Sequence, residues 1–98
     1  MKSEKTIIIN SKNFSDLESF YDEIDRVLTK NLSWKTGHNL DAFNDLLRGG
    51  FGVYDYKEFV KIIWIHFSES KRKLGNEITD LLLEVIADHD HIEFEVQG

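Results

Sequence analysis

Three short apolar runs divide the chain, and each of them predicts a β-strand. The first, Lys5–Asn10, is rich in β-branched isoleucine. The second, residues 60–66, is nearly continuous in apolar character, which is typical of a strand covered on both faces. The third, residues 91–96, alternates apolar and charged residues, which is typical of an edge strand. We therefore expect residues 60–66 to be the central strand of a sheet.

Between these runs, apolar residues recur at the spacing of an α-helix. A capping-box pattern at Ser15 predicts a helix that runs to about Lys30. Residues 37–50 predict a shorter helix, which a glycine-rich segment ends. The spacing also predicts a short helix over residues 68–74 and a longer one over residues 76–87. The buried stripes expected for the first and last helices are Leu17, Phe20, Tyr21, Ile24, Val27 and Leu28, and Ile78, Leu81, Leu82, Val85 and Ile86.

The predicted order is strand, helix, helix, strand, helix, helix, strand. Strands joined by helical crossovers form parallel sheets with right-handed connections. Three strands are too few to carry a full helical layer on each face. The expected fold is therefore α/β, a two-layer arrangement of a three-stranded parallel sheet packed with helices. No repeat or linker divides the chain, so residues 1–98 are expected to form a single domain.

The composition restricts the classes of function. Hydrophobic residues make up 41% of the chain, which is enough for a folded core. Cysteine is absent, which excludes disulfides, thiolate chemistry and cysteine-based zinc sites. No apolar run is long enough to span a membrane, and the first residues lack a signal-peptide layout, so we expect a cytoplasmic protein without a membrane partner. The net charge of −6 argues against nucleic acid as a partner.

The charges are unevenly distributed along the chain. Every lysine and arginine lies at or before Lys73, whereas residues 74–98 hold seven acidic residues and no basic one. Such an asymmetry indicates a polarised, cationic partner. A solvated acidic surface that aids solubility is the alternative interpretation.

The helix predicted within residues 37–50 carries the most informative chemistry. Asp41 and Asp45 are spaced i,i+4 and therefore share one helix face, opposite Leu40, Phe43 and Leu47. Two like charges at this spacing destabilise an isolated helix by about 0.2–0.5 kcal/mol. The helix dipole favours Asp41 in the first turn but gives Asp45 little. A helix that presents two carboxylates to solvent is suited to a cationic surface.

Two parts of the sequence resemble the barstar family, small intracellular inhibitors of secreted microbial ribonucleases. One is the acidic helix, and the other is the second predicted strand with the helix that follows it. The resemblance implies a three-stranded parallel sheet with helices, and an acidic helix that plugs the active site of a ribonuclease. The matching residues are Gly37, Asn39, Leu40, Asp41, Ala42, Phe43, Asp45 and Leu47, then Trp64, Phe67, Ser70, Lys71 and Leu74.

The same resemblance implies which residues bind the partner. Asp41 and Asp45 match the two inhibitory aspartates, and Asp45 matches the deeper of them. Asn44 replaces a tryptophan of the family, and the segment from Asp45 to Trp64 is several residues longer than the family pattern. Counted without gaps from Trp64, the position at which the family has an acidic contact on the long helix is occupied by Ala87. The other implied binding residues are Glu84 and Asp88 on either side of that position, His38 and Gly49 beside the acidic helix, and Trp34, Lys35 and Thr36 in the preceding loop.

The resemblance implies an inhibitor rather than an enzyme, acting as a monomer that forms a 1:1 complex with a basic ribonuclease or related toxin and needing no cofactor. Two alternatives remain open. The scaffold could bind a different basic protein, or the chain could be a small enzyme or metal-binding domain. The segment Asp88-His89-Asp90-His91 offers four possible metal ligands, and His38 precedes the acidic helix, where a His/Asp acid–base pair could form. For the segment 88–91, the alternative to a metal site is a polar turn. For His38, the alternative to acid–base chemistry is a rim contact or a solvated side chain.

Overall fold

The computed structural model describes residues 5–30 and 37–98. Within them, three strands form one parallel sheet in the order β1-β2-β3. They are β1 (Lys5–Asn10), β2 (Val60–Ile65) and β3 (Ile92–Val96). The predicted parallel sheet and its central strand are therefore confirmed, and the fold is α/β.

Four α-helices connect the strands, as the apolar spacing predicts. They are α1 (Leu17–Leu28), α2 (Leu40–Arg48), α3 (Phe67–Leu74) and α4 (Asn76–Ala87), and a 3₁₀ turn (Ser11–Asn13) that was not predicted follows β1. Among the described residues, no helix has the length and apolar character needed to cross a membrane.

Several element boundaries differ from the predicted ones. The capping box of α1 lies one residue later, because Asp16 accepts a hydrogen bond from the Ser19 amide at 2.8 Å and the Ser19 hydroxyl accepts one from the Asp16 amide at 3.1 Å. The helix also ends at Leu28, before Lys30. Strand β2 ends before His66, whose left-handed backbone (φ 54°) starts α3. That histidine side chain is exposed.

The core lies on one face of the sheet only. Along β2, Val60, Ile62 and Trp64 are fully buried, while the residues between them are half-buried. Ile8 of the neighbouring strand is 39% exposed on the outer face. The expectation that helices cover β2 on both faces is therefore wrong. In the part of the chain that the structure describes, no helical layer packs on the outer face of β2, and neighbouring side chains shield it only partly. One shield is Lys61, which pairs with Glu93 and Glu95 at 3.5 and 3.4 Å.

The stripe predicted for α4 is only partly correct, since Ile78 and Val85 are half-buried. Leu82 and Ile86 are fully buried, but Leu81 is 40% exposed. Thr79 is buried in its place, and its hydroxyl donates to the carbonyl of Ser70 at 3.5 Å. A side chain with an internal partner can enter the core where apolar spacing alone predicts a leucine.

The segment between α2 and β2 packs against the C-terminal end of α2. Tyr54 is 3% exposed, and its hydroxyl donates to the carbonyl of Leu47 at 2.7 Å. Burial raises the pKa of Tyr54, so the hydroxyl stays protonated and remains a donor. The ring lies against Gly49, where an added Cβ would approach Tyr54 Cδ2 to 2.7 Å. The end of α2 is thus fixed by close packing as well as by hydrogen bonds.

A glycine pair separates the effect of this close packing from that of backbone strain. Gly49 (φ 94°, ψ −175°) and Gly75 (φ 87°, ψ 156°) share a backbone region that other residues rarely adopt. Gly75→Ala meets no atom within 4 Å, so we expect it to cost only the backbone strain of about 1–3 kcal/mol. Gly49→Ala should cost clearly more, because the backbone carbonyl of Asp55 and the ring of Tyr54 must also move.

Denaturant titrations of both variants, fitted with the same m-value, measure the difference between their free energies of unfolding. Equal losses of stability would show that the close packing of Tyr54 and Asp55 against Gly49 contributes nothing.

Candidate partner-binding surface

Helix α2 presents its two carboxylates to solvent and its apolar side to the core. Asn39 caps the helix, because its side-chain oxygen accepts a hydrogen bond from the Ala42 amide at 2.8 Å. Asp41 and Asp45 are exposed, as predicted. Leu40 is only half-buried. The fully buried side chains of the helix are Phe43 and Leu47, which were predicted, and Leu46, which was not.

A groove of about 410 Å³ lies between α2 and α4. It brings together Asp41, Asn44, Glu84 and Asp88, four of the residues that the sequence singles out. We call it the acidic groove, and its complete lining is Leu40, Asp41, Asn44, Leu81, Glu84, Val85 and Asp88. Within residues 5–30 and 37–98, no lysine, arginine or histidine forms an ion pair with any of its three carboxylates.

The helix dipoles treat these carboxylates differently. Asp41 lies in the first turn of α2, where a negative charge is favourable. Glu84 lies in the last turn of α4 and Asp88 is its C-cap, and that turn holds no basic residue. A negative charge at a helix C-terminus is unfavourable by about 0.3–1 kcal/mol. Within the described residues, neither a basic side chain nor a helix dipole therefore compensates the negative charge of Glu84 and Asp88.

Asp45 lies outside the groove lining and has a partner of its own. Its Oδ1 is 3.0 Å from Nη1 of Arg48, and both side chains are largely in solvent. An i,i+3 pair of this kind contributes about 0.2–0.5 kcal/mol. The i,i+3 spacing was the signal that sequence reasoning overlooked. The pair is weak enough for a stronger cation to displace Arg48.

The two histidines that follow α4 contact α2. His89 Nε2 lies 2.7 Å from Asn44 Oδ1, and His91 Nε2 donates to the carbonyl of Leu47 at 2.9 Å. Burial, with smaller effects from His91 and Arg48, lowers the pKa of His89 and keeps it neutral. In the part of the chain that the structure describes, no group of three or more His, Asp or Glu side chains is arranged for a metal ion. The segment 88–91 instead joins the end of α4 to α2.

His38 joins the start of α2 to α1. One ring nitrogen bonds to Glu18, and the other lies 3.1 Å from Asp25 and 3.7 Å from Asp22. The ring also lies against Tyr21, with centroids 5.7 Å apart. The side chain is 16% exposed, so the interpretation of His38 as merely solvated is wrong. The hydrogen bond that His38 donates to Glu18, and then the one to Asp25, raise the pKa of His38.

Four further residues are implied by the resemblance. Trp34, Lys35 and Thr36 lie outside the described residues. Gly49 is buried at the end of α2 against Tyr54. The structure thus brings Asp41, Asn44, Glu84 and Asp88 together and leaves Asp45 on the adjoining surface of the same helix.

Comparison with known families gives one match that covers nearly the whole chain. A family model described as "Barstar (barnase inhibitor)" matches residues 4–96, a range that includes all three strands and all four helices. A search of curated proteins gives no significant match.

The contacts of His38 predict a pH dependence of folding. Because its pKa is higher in the folded protein than the ordinary value of 6.5, the protonated form stabilises the fold. This contribution is complete below pH 6.5 and is lost as the pH rises through the higher, folded pKa. Denaturation of the wild type and His38→Gln should therefore differ more at pH 6 than at pH 9.

His66→Gln is the control, since it removes an exposed histidine that directly follows β2. The free energies of unfolding of the two variants could instead differ from the wild type by the same amount at pH 6 and at pH 9. The contacts between His38 and the carboxylates of α1 would then make no contribution to stability.

Proposed function

The chain belongs to the barstar family, and from this premise we propose that it inhibits a basic microbial ribonuclease by placing α2 over the cationic active site of the enzyme. The observation that carries the proposal is the negative charge of the acidic groove, which no basic side chain among the described residues pairs with, beside the exposed Asp45. The biological setting would be toxin neutralisation in the cytoplasm, by a monomer in a 1:1 complex. The chain itself would catalyse nothing.

The chemistry of the target explains why carboxylates suit this task. A ribonuclease needs cationic groups to bind phosphate and to stabilise charge in the transition state. Carboxylates form short, charge-assisted and often bidentate bonds with the same groups. We propose that Asp45 replaces a substrate phosphate and that its partner displaces Arg48. Asp41 and Asn44 would border that contact.

The support of α2 favours tight binding. The carbonyl oxygens at its C-terminal end accept hydrogen bonds from the rest of the protein: Leu47 from Tyr54 and His91, and Arg48 from the Lys57 amide. A binding helix that is already fixed loses little conformational entropy when the complex forms. His38 and Gly49 fit a role as positioning residues for α2. Trp34, Lys35 and Thr36 would add contacts from the preceding loop.

Glu84 and Asp88 fit a role in electrostatic steering. They face the groove from α4, and their position at the end of that helix is unfavourable for folding. Charges near the rim of an interface mainly raise the association rate with an oppositely charged partner. Their removal should therefore slow encounter more than it hastens dissociation.

The central test is Asp45→Ala against a panel of purified barnase-type ribonucleases, read as residual RNA cleavage. Removing one member of a buried ion pair costs about 2–5 kcal/mol, mainly through faster dissociation, so inhibition should weaken by at least about thirtyfold. Stability should change by less than about 0.5 kcal/mol, because alanine favours the helix while only an exposed pair with Arg48 is lost.

Glu69→Ala is the matched control, because Glu69 also pairs with an arginine, Arg72, at i,i+3. It should leave inhibition unchanged. The mechanism is wrong if both variants inhibit equally well, and the function is wrong if the wild type inhibits no enzyme of the panel.

A second test compares charge reversals. Glu84→Lys and Asp88→Lys should each slow association with the inhibited ribonuclease about tenfold or more at low salt. Glu93→Lys makes the same change in net charge on the outer face of the sheet, beside Lys61, and should slow it much less. Stopped-flow association rates measure all three. Equal slowing by all three would show that only bulk charge matters.

A further inference from the structure

The segment between α2 and β2 forms a loop that is hydrogen-bonded to the end of α2. We call residues 50–59 the aromatic loop. Its backbone is tied down at both ends, because the Gly50 amide donates to the Tyr54 carbonyl at 2.8 Å and the Lys57 amide donates to the Arg48 carbonyl at 2.6 Å. Glu58 accepts a further bond from the Asp55 amide at 2.8 Å. The loop therefore keeps a defined position relative to α2.

This fixed loop exposes two aromatic side chains. Tyr56 is 64% and Phe59 is 56% exposed, more than any other large apolar side chain among the described residues. Tyr56 lies over Gly50, directly after α2, with its Cβ 4.0 Å from where a Cβ of Gly50 would be. Fixed and exposed aromatic residues are typical anchors of protein–protein interfaces, since they bury much apolar area at little cost in entropy.

Phe59 lines a cleft that is continuous with the acidic groove. The cleft has a volume of about 420 Å³ and shares Asn44 and Asp88 with the groove. Its remaining lining is Arg48, Lys57, Phe59, His89, Asp90 and His91. A partner seated on the acidic groove would thus meet this cleft next.

The charge becomes mixed along this surface. Within the described residues, the three carboxylates of the acidic groove form no ion pair, whereas the cleft combines Asp88 and Asp90 with Lys57 and with Arg48, which pairs with Asp45. Lys57 is exposed, and its amine lies 5.5 Å from the centre of the Tyr56 ring. A complementary partner therefore needs a carboxylate opposite Lys57 as well as cationic groups opposite the acidic groove.

We propose that the aromatic loop is a second contact for the same ribonuclease and selects the cognate enzyme. The complementary surface is an apolar side chain beside the active site that packs on Phe59 and Tyr56, next to a carboxylate that faces Lys57. This inference rests on the proposed function of α2, which supplies inhibition, while the loop supplies specificity.

The test uses the ribonuclease that the wild type inhibits most strongly, with dissociation constants measured by calorimetry. Tyr56→Ser combined with Phe59→Ser should raise the dissociation constant about tenfold or more. Val96→Ser is the matched control, since Val96 is also exposed (44%) but lies at the end of β3. It should change the constant less than about twofold.

A charge variant separates the local contact from bulk electrostatics. Lys57→Glu makes the protein more acidic, so bulk attraction to a basic enzyme would tighten binding, whereas a facing carboxylate makes binding weaker. We expect weaker binding. Lys71→Glu is the control, because Lys71 lies similarly, 5.9 Å from the centre of the Phe67 ring on α3. Lys71→Glu should bind as tightly as the wild type or more tightly.

Hydroxyl-radical labelling of the wild-type complex gives a measurement that needs no variant. Tyr56 and Phe59 should be protected from oxidation when the ribonuclease is bound. The inference is overturned if both stay reactive, or if the double variant binds like Val96→Ser while Asp45→Ala loses binding. The proposed function would then stand. If Asp45→Ala also binds normally, or no ribonuclease is bound, both proposals fail.

Discussion

The indole of Trp64 lies at the centre of the molecule and joins most of its parts. The side chain is fully buried, and its N–H is shared between the hydroxyls of Ser11 and Ser70, each at 2.9 Å. These bonds connect β2 to the 3₁₀ turn and to α3. The ring stacks on Phe20 of α1, with centroids 5.4 Å apart, and Phe20 in turn meets Phe43 of α2 at 5.6 Å. The acidic helix is therefore positioned through a chain of aromatic contacts that begins at the central strand.

Because Trp64 and Phe20 position α2 from its buried side, the exposed side of the helix is available for charged residues. Its buried side chains fix the helix on the core, and the carbonyl oxygens of its last turn find donors on Tyr54, His91 and the Lys57 backbone. A helix held in this way does not need its exposed residues for stability. Acidic residues can therefore lie at positions where they destabilise the fold slightly. Asp41 and Asp45 repel each other on α2, and Glu84 and Asp88 interact unfavourably with the dipole of α4. We interpret the uncompensated charge of the acidic groove as charge that a partner neutralises.

The prediction of the fold succeeded where one local signal dominated. The isoleucine run of Lys5–Asn10 became β1 without any change of boundary, and the three-residue spacing of Leu40 and Phe43 gave α2 its orientation. It failed where a side chain found its partner far along the chain. Glu23 is 3% exposed because Arg26, Asn13 and the Asn10 amide bind its carboxylate. No periodicity in the sequence indicates a buried glutamate.

The sequence by itself determined the order of elements, the parallel α/β fold and the exposed Asp41 and Asp45, because hydrophobic spacing and helix geometry act over a few residues. It also carried the resemblance to the family, which needs only residue types at fixed offsets. Only the tertiary structure decided that Glu84 and Asp88 meet Asp41 in one groove, and that His38 is bound to three carboxylates of α1. Such meetings depend on how distant helices pack, and packing is set by the whole core rather than by any one segment.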